Sequence, residues 1–317
     1  MIKLLDVIYK RKSVRSYDGT GLKQEELETL KKCMSEIANP FGIPVRFVLL
    51  DAEKHGLSSP VLTGEKYYVA GIVPKVPNAE VAYGYSFEKL ILFATSLGIG
   101  TVWIGGTMPR EKFEQAAGLS EGEMMPCITP IGYPAKKRSF KETMMRKTIR
   151  ADSRMLSKKF VFDEVPDWPL EYEQKTQIGD LIEMVRWAPS AVNRQPWRII
   201  VKDNLYHFYE KKERGFVKEA TGDLQKIDVG IALCHFVAGL NERGIWPEIV
   251  IDDPKIKIPE DMEYIASVKA LFPKKPDDAE NMADAENVPD AEETFSDTEI
   301  APADVKESSE SAEDKEE

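Results

Sequence analysis

The feature that most constrains this chain is a series of short segments that recurs about 150 residues further along. The first series holds Tyr17-Asp18, residues 38–40, the strand-like residues 46–49 and an apolar helix between Gly84 and Gly98. The second holds Phe162-Asp163, residues 188–190, residues 198–201 and an apolar helix between Gly230 and Gly244. The two series are offset by 145 to 152 residues, and both glycine pairs are 14 residues apart. This recurrence predicts a tandem duplication, although helix, loop and strand can recur by chance in any α+β protein.

Each half reads as an N-terminal helix, a second helix, a loop, a strand, and a long apolar helix followed by another strand. We expect the long helices at residues 85–97 and 231–242, with a strand at 101–104 after the first. Residues 54–76 are expected to form a loop. The predicted fold is α+β, with two pseudo-repeats (residues 1–150 and 151–275), each a mainly antiparallel sheet flanked by helices, packed as one body.

The remaining residues, 276–317, form an acidic tail. Between residues 277 and 317 there are 17 acidic and 2 basic residues, whereas the preceding part carries 41 basic and 37 acidic ones. The tail has almost no large apolar side chains, so we expect it to be disordered. Its role is either that of a solubilising extension or that of an acidic arm for a basic partner.

Several classes of protein are disfavoured by the sequence. The three cysteines lie far apart without C-x-x-C spacing, and the histidines show no spacing for a metal site. A G-x-G-x-x-G motif after a strand and a Walker A motif are both lacking. The nearly neutral body argues against a nucleic-acid partner.

One uncharged stretch is long enough to be considered as a membrane span. Residues 90–109 are as long as a membrane span, but four glycines divide the stretch into a helix end and a strand. The N-terminal residues lack the pattern of a secretory signal. We therefore expect no membrane association, reduced cysteines and a cytoplasmic location.

Two motifs carry most of the functional information. The first, Arg11-Lys12-Ser13-Val14-Arg15, places two guanidinium groups and a hydroxyl within five residues, an arrangement that suits a phosphate dianion. Basic clusters also occur at solvated helix ends. The second is the ten-residue loop APSAVNRQPW at residues 188–197, where two prolines rigidify a polar segment that could hold a flat heterocycle.

Two further segments support them. Trp103-Ile104-Gly105-Gly106 ends a predicted strand with two glycines, which either let backbone N–H groups approach a ligand or form a tight turn. Ile131-Gly132-Tyr133-Pro134 ends another predicted strand and precedes a basic cluster that includes Arg138.

Together, RKSVRSYDG, APSAVNRQPW, GYSFEKLILFATSLGIGTVWIGG and IGYPAKKR resemble the nitroreductase family of FMN-dependent oxidoreductases, over about residues 2 to 272. In that family each flavin lies across a dimer interface. One subunit contributes the arginine strip, the glycines and the basic residue after GYP, and the other contributes the APS-x-N-x-QPW loop. Here the first half keeps the strip and the second keeps the loop, whereas residues 38–44 and the positions Arg150, Arg154 and Lys158 have diverged. The chain therefore resembles a fused nitroreductase dimer with one complete site.

The resemblance implies a role for each matching residue. Arg11, Ser13 and Arg138 would hold the FMN phosphate, and Arg15 would face the ribityl chain or the pyrimidine edge. Gly105 and Gly106 would present backbone N–H groups near the ring. The loop would line the flavin from the other half. The expected cofactor-binding set is completed by Lys12, Pro189, Ser190, Asn193 and Gln195.

The same resemblance implies a function. NADH or NADPH would pass hydride through bound FMN to a small acceptor such as a nitroaromatic or a quinone, and no protein side chain need be catalytic. The alternatives are flavin cleavage or reductive dehalogenation on the related scaffold, or a non-catalytic flavin-binding protein. A chain that mimics a dimer could act as a monomer.

Overall fold

Two long apolar helices, α4 (Ala79–Ser96) and α8 (Leu224–Glu242), pack against each other and organise the fold. Each is buried around nearly its whole circumference, as predicted from its composition. The helices begin six and seven residues before the predicted positions 85 and 231. The computed structural model describes residues 3–137, 139–171 and 177–271, all within one compact unit, Met1–Phe272. Arg138 and the acidic tail lie outside the described residues.

The closest approach of the two helices is set by two glycines. A Cβ atom at Gly84 would lie 2.0 Å from the carbonyl oxygen of Ile227, and one at Gly230 would lie 2.2 Å from that of Val81. No side chain larger than hydrogen fits either position without moving the opposite backbone. The glycines that mark the recurrence in the sequence therefore form the crossing point of the helix pair.

Shorter helices surround this pair. Near the N-terminus are α1 (Leu4–Lys10), α2 (Gln24–Glu36) and α3 (Ala52–His55). Further along are α5 (Arg110–Ala117), α6 (Phe140–Thr148) and α7 (Gln177–Arg186). Two 3₁₀ turns occupy Ser157–Lys159 and Ala191–Asn193.

The first sheet belongs to the first half of the chain. It contains β1 (Arg46–Asp51), β2 (Tyr67–Pro74), β3 (Glu123–Met124) and β4 (Ile128–Ile131). All its pairings are antiparallel, and β2 pairs with the other three strands.

The second sheet belongs to the second half and has the order β10-β11-β7-β6-β5. Its strands are β5 (Val161–Asp163), β6 (Trp197–Lys202), β7 (Leu205–Lys211), β10 (Glu248–Val250) and β11 (Met262–Lys269). Only the pairing of β5 with β6 is parallel. A short ribbon of β8 (Val217–Lys218) and β9 (Gly222–Asp223) precedes α8.

The two halves share an order of elements. In each half, two consecutive strands pair antiparallel, a long helix follows, and a later strand pairs with the second strand. In the first half these elements are β1, β2, α4 and β4. In the second half they are β6, β7, α8 and β11. The α+β class with mainly antiparallel sheets is confirmed. This shared order is consistent with a tandem duplication, but the duplication and its boundaries stay predictions.

Three predicted elements differ from the structure. Residues 54–76 include strand β2, so the expectation of a loop throughout was wrong. Residues 101–104 form isolated bridges, from Thr101 to Ser13 and from Ile104 to Ile128, instead of a strand. The second half starts with only the 3₁₀ turn Ser157–Lys159 where a helix was expected.

None of the helices in the described residues combines the length and the apolar character that a membrane span requires. The uncharged stretch at residues 90–109 is divided between the end of α4 and the bridged segment that follows.

Candidate functional site

A cavity of about 430 Å³ lies where segments from the two halves meet, and we call it the central cavity. Its volume is in the range of small-molecule sites. Six of the residues that the sequence predicts for cofactor binding line it: Ser13, Arg15, Gly105, Gly106, Pro189 and Ser190. The structure thus brings the early strip and the late loop to one space.

The strip reaches the cavity because the chain becomes extended after α1. Ser13 forms a parallel bridge with Thr101, and the amide of Val14 donates to the Thr101 carbonyl at 2.9 Å. This pairing places the strip beside the segment that leads to Gly105. Alternation along the extended segment sends Ser13 and Arg15 to the same side.

Arg15 is a buried cation in the cavity wall. Its side chain is 8% exposed, and its Nη1 atom has no hydrogen-bond partner in the described part of the chain. Burial lowers the pKa of the guanidinium, and the nearby Glu142 carboxylate opposes that shift. A buried donor without a partner costs free energy, so the position favours an incoming anion or acceptor.

Arg11 and Lys12 lie away from the cavity wall. Arg11 is buried, and its Nε atom also has no partner among the described residues. Burial lowers its pKa, Glu88 opposes this shift and Arg146 adds to it. Lys12 is exposed.

The space around the two glycines at residues 105 and 106 differs. A Cβ at Gly105 would lie 3.1 Å from the Cys127 Sγ atom, whereas one at Gly106 would meet nothing within 4 Å. Arg110 fixes this turn, since its Nη2 donates to the Gly105 carbonyl at 2.7 Å and its Nη1 to the Met125 carbonyl at 2.6 Å. The amides of Gly105 and Gly106 donate to no acceptor within the described ranges. They remain available to a ligand.

The loop at residues 188–197 is held in a strained conformation. Val192, Asn193 and Gln195 have φ angles of 43°, 60° and 54°. Such angles are unusual for any residue other than glycine, and they are costly for a β-branched one. The Ser190 hydroxyl oxygen accepts from the Gln195 amide at 2.9 Å and closes the turn.

Asn193 and Gln195 are turned away from the central cavity. The Asn193 Nδ2 atom donates to the carbonyl oxygens of Arg150 at 2.8 Å and of Ser153 at 3.0 Å. The Gln195 Oε1 atom accepts from the Met155 amide at 2.8 Å. Both side chains therefore attach the loop to the segment that joins the two halves.

Asp228 on α8 is not among the site residues predicted from the sequence. This residue lines the cavity, and both of its carboxyl oxygens lie 3.0 Å from the Ala191 amide nitrogen, which donates to them. Burial raises the pKa of this carboxyl well above its usual value. In the sequence Asp228 is an acid beside a run of mainly apolar residues, and it lies before the predicted helix at residues 231–242.

Arg154 was noted only as part of a diverged strip. Its guanidinium lies 4.9 Å from the centre of the Trp187 ring, and its Nη1 donates to the Asn193 Oδ1 atom at 3.5 Å. Burial lowers its pKa to about 10, and the charge of Arg11 contributes to the shift. Arg11, Arg146 and Arg154 form a cationic cluster that no regular spacing in the sequence indicates.

The cavity wall is anchored by a buried polar network. The Trp103 indole, which lines the cavity, donates from Nε1 to the Glu88 Oε2 atom at 2.9 Å. Glu88 Oε1 lies 3.0 Å from His235 Nε2, so α4 and α8 are joined beneath the site. The described residues hold no group of three or more His, Cys, Asp or Glu side chains that could bind a metal ion.

Comparison with known proteins agrees with this geometry. The model of the family described as "Putative TM nitroreductase" matches residues 3–240, and the chain belongs to this family. A crystal structure described as "a putative nitroreductase" from Thermotoga maritima is similar over 84% of this chain and 94% of that chain, with a TM-score of 0.54 and 20% identity. This similarity supports the fold.

A curated relative covers about half of the chain. The "Putative NADH dehydrogenase/NAD(P)H nitroreductase" of Archaeoglobus fulgidus is 27% identical over 168 residues, which cover 45% of this chain and 91% of that protein. Nearly a whole relative thus corresponds to less than half of this chain.

Proposed function

We propose that this protein is an FMN-dependent oxidoreductase that uses NADH or NADPH to reduce a small acceptor such as a nitroaromatic or a quinone. The observation that carries the proposal is the central cavity, to which Ser13 and Arg15 come from one half and Pro189 and Ser190 from the other. Membership in the nitroreductase family supports the same reaction class.

The residues of the cavity fit a planar, phosphorylated cofactor. Leu224, Ile227 and Ile231 provide an apolar wall for a flat ring, and the unengaged amides of Gly105 and Gly106 can donate to its polar edge. Arg15 contributes a buried donor, Nη1, that no residue in the described part of the chain satisfies. FMN bound here would supply the redox chemistry, which is the transfer of hydride from reduced nicotinamide to an acceptor.

We propose that the FMN phosphate binds between Ser13 and the cationic cluster of Arg11, Arg146 and Arg154, which lies outside the cavity wall itself. Ser13 lines the cavity, and the cluster of Arg11, Arg146 and Arg154 contains two buried Nε atoms without partners in the described residues. Guanidinium groups suit a phosphate because they donate several hydrogen bonds in one plane. Lys12 and Arg138 stay part of the predicted set, with Arg138 outside the described residues.

We propose a supporting role for Asn193 and Gln195. Their hydrogen bonds to residues 150–155 hold the loop that carries Pro189 and Ser190 against the cavity. Loss of either side chain would act on cofactor affinity through the position of this loop.

We also propose that the chain contains two repeats and binds one FMN. The shared element order and the paired Gly84 and Gly230 support the repeats, as does the length of the relative from Archaeoglobus fulgidus. A single chain then supplies both sides of a site, so a monomer suffices. The free cysteines Cys33, Cys127 and Cys234 are compatible with a cytoplasmic location.

The test of the proposed activity is an anaerobic reduction experiment. The purified full chain is loaded with FMN, reduced with NADH or NADPH, and then mixed with a nitroaromatic or a quinone. We expect bleaching of the flavin absorbance by the nicotinamide and its return with the acceptor. Bleaching without reduction of either acceptor would favour flavin cleavage or dehalogenation, and a chain that takes up no FMN would refute the proposal.

A further inference from the structure

The helix wall of the central cavity contains one acid among apolar residues. The residues of α8 that line the cavity are Leu224, Ile227, Asp228 and Ile231, which form a single stripe along the helix. Among the lining residues that the structure describes, Asp228 is the only carboxylic acid, and Arg15 and Lys218 are the cations. Asp228 is therefore part of the wall that a ligand in the cavity meets.

The surroundings of Asp228 favour the protonated form of its carboxyl group. The residue is 4% exposed, and no Lys, Arg or His in the described part of the chain forms an ion pair with it. Burial raises its pKa well above the usual value, and the charges of Asp223 at the start of α8 and of Glu210 on β7 raise it further. The Ala191 amide, which donates to the carboxyl group, lowers it.

We infer that Asp228 is the proton donor for the acceptor that is reduced in the central cavity. This inference rests on the proposed function. It assigns to a protein side chain a step for which the family resemblance implied no catalytic residue.

The proton is needed because hydride transfer alone leaves a negative charge on the acceptor. For a quinone, reduced nicotinamide supplies the hydride by way of the cofactor, and the quinone oxygen takes the proton. The O–H bond of the Asp228 carboxyl breaks, an O–H bond forms on the acceptor, and the electron pair stays on Asp228. A nitro group takes the same hydride and proton and yields a nitroso group and water.

The carboxylate that remains is stabilised by the Ala191 amide, which keeps its hydrogen bond to the carboxyl group. The thiol of Cys127 also lines the cavity, but burial raises its pKa to about 12 and makes it a poor donor. Water then returns a proton to Asp228 before the next turnover.

The hydrogen bond to Ala191 raises a second possible role for Asp228, which is to position the loop that carries Pro189 and Ser190. Asp228→Asn separates the two roles. The amide keeps the size of the side chain and an oxygen acceptor for the Ala191 amide, but it has no acidic proton. Asp203→Asn is the matched control, because Asp203 is an exposed turn residue that does not line the cavity, and asparagine tolerates its φ of 51° equally well.

The test measures the two half-reactions separately in the full chain with FMN bound. We expect Asp228→Asn to leave FMN affinity and reduction by NADH within about twofold of the wild type. The reduction of a quinone should slow by about a hundredfold, a typical contribution of general acid catalysis. Its rate should also lose the decline at alkaline pH that deprotonation of Asp228 causes in the wild type, and Asp228→Glu should restore part of the rate.

An infrared difference spectrum gives a readout that does not depend on activity. The spectrum of the Asp228→Asn variant is subtracted from that of the wild type, with both proteins free of flavin. The difference should show the band of a protonated carboxyl group at neutral pH. A carboxylate band instead, or an unchanged quinone rate and pH profile in Asp228→Asn, would overturn the inference. So would an equal loss in both half-reactions, which would make Asp228 a positioning residue. Failure of the proposed function is distinguishable, because the wild type would then take up no FMN or fail to be reduced.

Discussion

The Glu88 Oε1 atom lies 3.0 Å from the His235 Nε2 atom although 147 residues separate them, and neither side chain is exposed to solvent. The Met184 carbonyl can only accept, so Nδ1 of His235 carries a hydrogen. The contact joins α4 to α8 and, through Trp103, both helices to the central cavity.

Glu88→Ala should therefore destabilise the whole fold. It leaves the His235 imidazole and the Trp103 indole without their partner in a dry interior, which costs about 3 to 5 kcal/mol. Glu88→Gln can hydrogen-bond to both groups and should lose much less. Urea unfolding of the two variants measures the difference, and equal, small losses would show that the network contributes little.

The helix crossing provides a steric prediction. Gly84→Ala would bring a methyl group to 2.0 Å from the Ile227 carbonyl oxygen, so we expect a loss of about 3 kcal/mol or more. Gly106→Ala, where a Cβ meets nothing within 4 Å, should change the unfolding free energy by less than about 0.5 kcal/mol. Thermal unfolding tests the pair, and a stable Gly84→Ala variant would mean that the helices do not cross here.

Glu210 on β7 should make stability depend on pH. Burial raises its pKa to about 8, and the charge of Asp223 contributes. The folded protein therefore holds this proton more tightly than the unfolded chain does, so the contribution of Glu210 to stability is present at low pH. It falls as the pH rises from about 4.5 to about 8.

Glu210→Gln removes this dependence. The stability of the variant relative to the wild type should rise across that pH range and then level off, as measured by urea unfolding at several pH values. The exposed Glu219→Gln serves as the control. A difference between Glu210→Gln and the wild type that stays constant with pH would be inconsistent with a buried, neutral Glu210.

The strained loop can be tested through Val192, whose φ is 43° and whose side chain is 58% exposed. Asparagine tolerates this conformation better than a β-branched residue, so Val192→Asn should raise the unfolding free energy by about 1 kcal/mol. Val217→Asn, at another exposed valine but one without a positive φ, should bring no such gain. Calorimetry measures both, and a loss of stability in Val192→Asn would show that the loop stores no strain at this position.

The sequence predicted those parts of the fold that depend on composition and local pattern. The helices α4 and α8 were predicted from their long apolar stretches, and β1 and β6 from short, mostly apolar runs that begin near Arg46 and Arg198. Strand β2 was missed because its eight residues are apolar without alternation, as expected for a strand buried on both faces. Such a run cannot be assigned by periodicity alone.

Some residues of the candidate site could likewise be predicted from the sequence, and others could not. Ser13 and Arg15 were found because they share a compact motif, and their placement beside Pro189 followed from the resemblance. Asp228 reaches the site because α8 packs beneath it, and Arg154 because the segment that joins the two halves runs past it. Neither residue belongs to a motif with a regular spacing, so the sequence alone does not identify them. The side-chain direction of Asn193 depends on a φ of 60°, which the sequence does not specify.

The most direct test of a single site shared by both halves is a fluorescence titration of the full chain with FMN. The account predicts one FMN per chain. Arg15→Met in the first half should weaken binding by about tenfold to a hundredfold through the loss of a charge-assisted hydrogen bond. Ala191→Leu in the second half should block it by filling the cavity, while the exposed Lys31→Met should bind like the wild type. Two FMN per chain, or unchanged affinity in either cavity variant, would contradict the account.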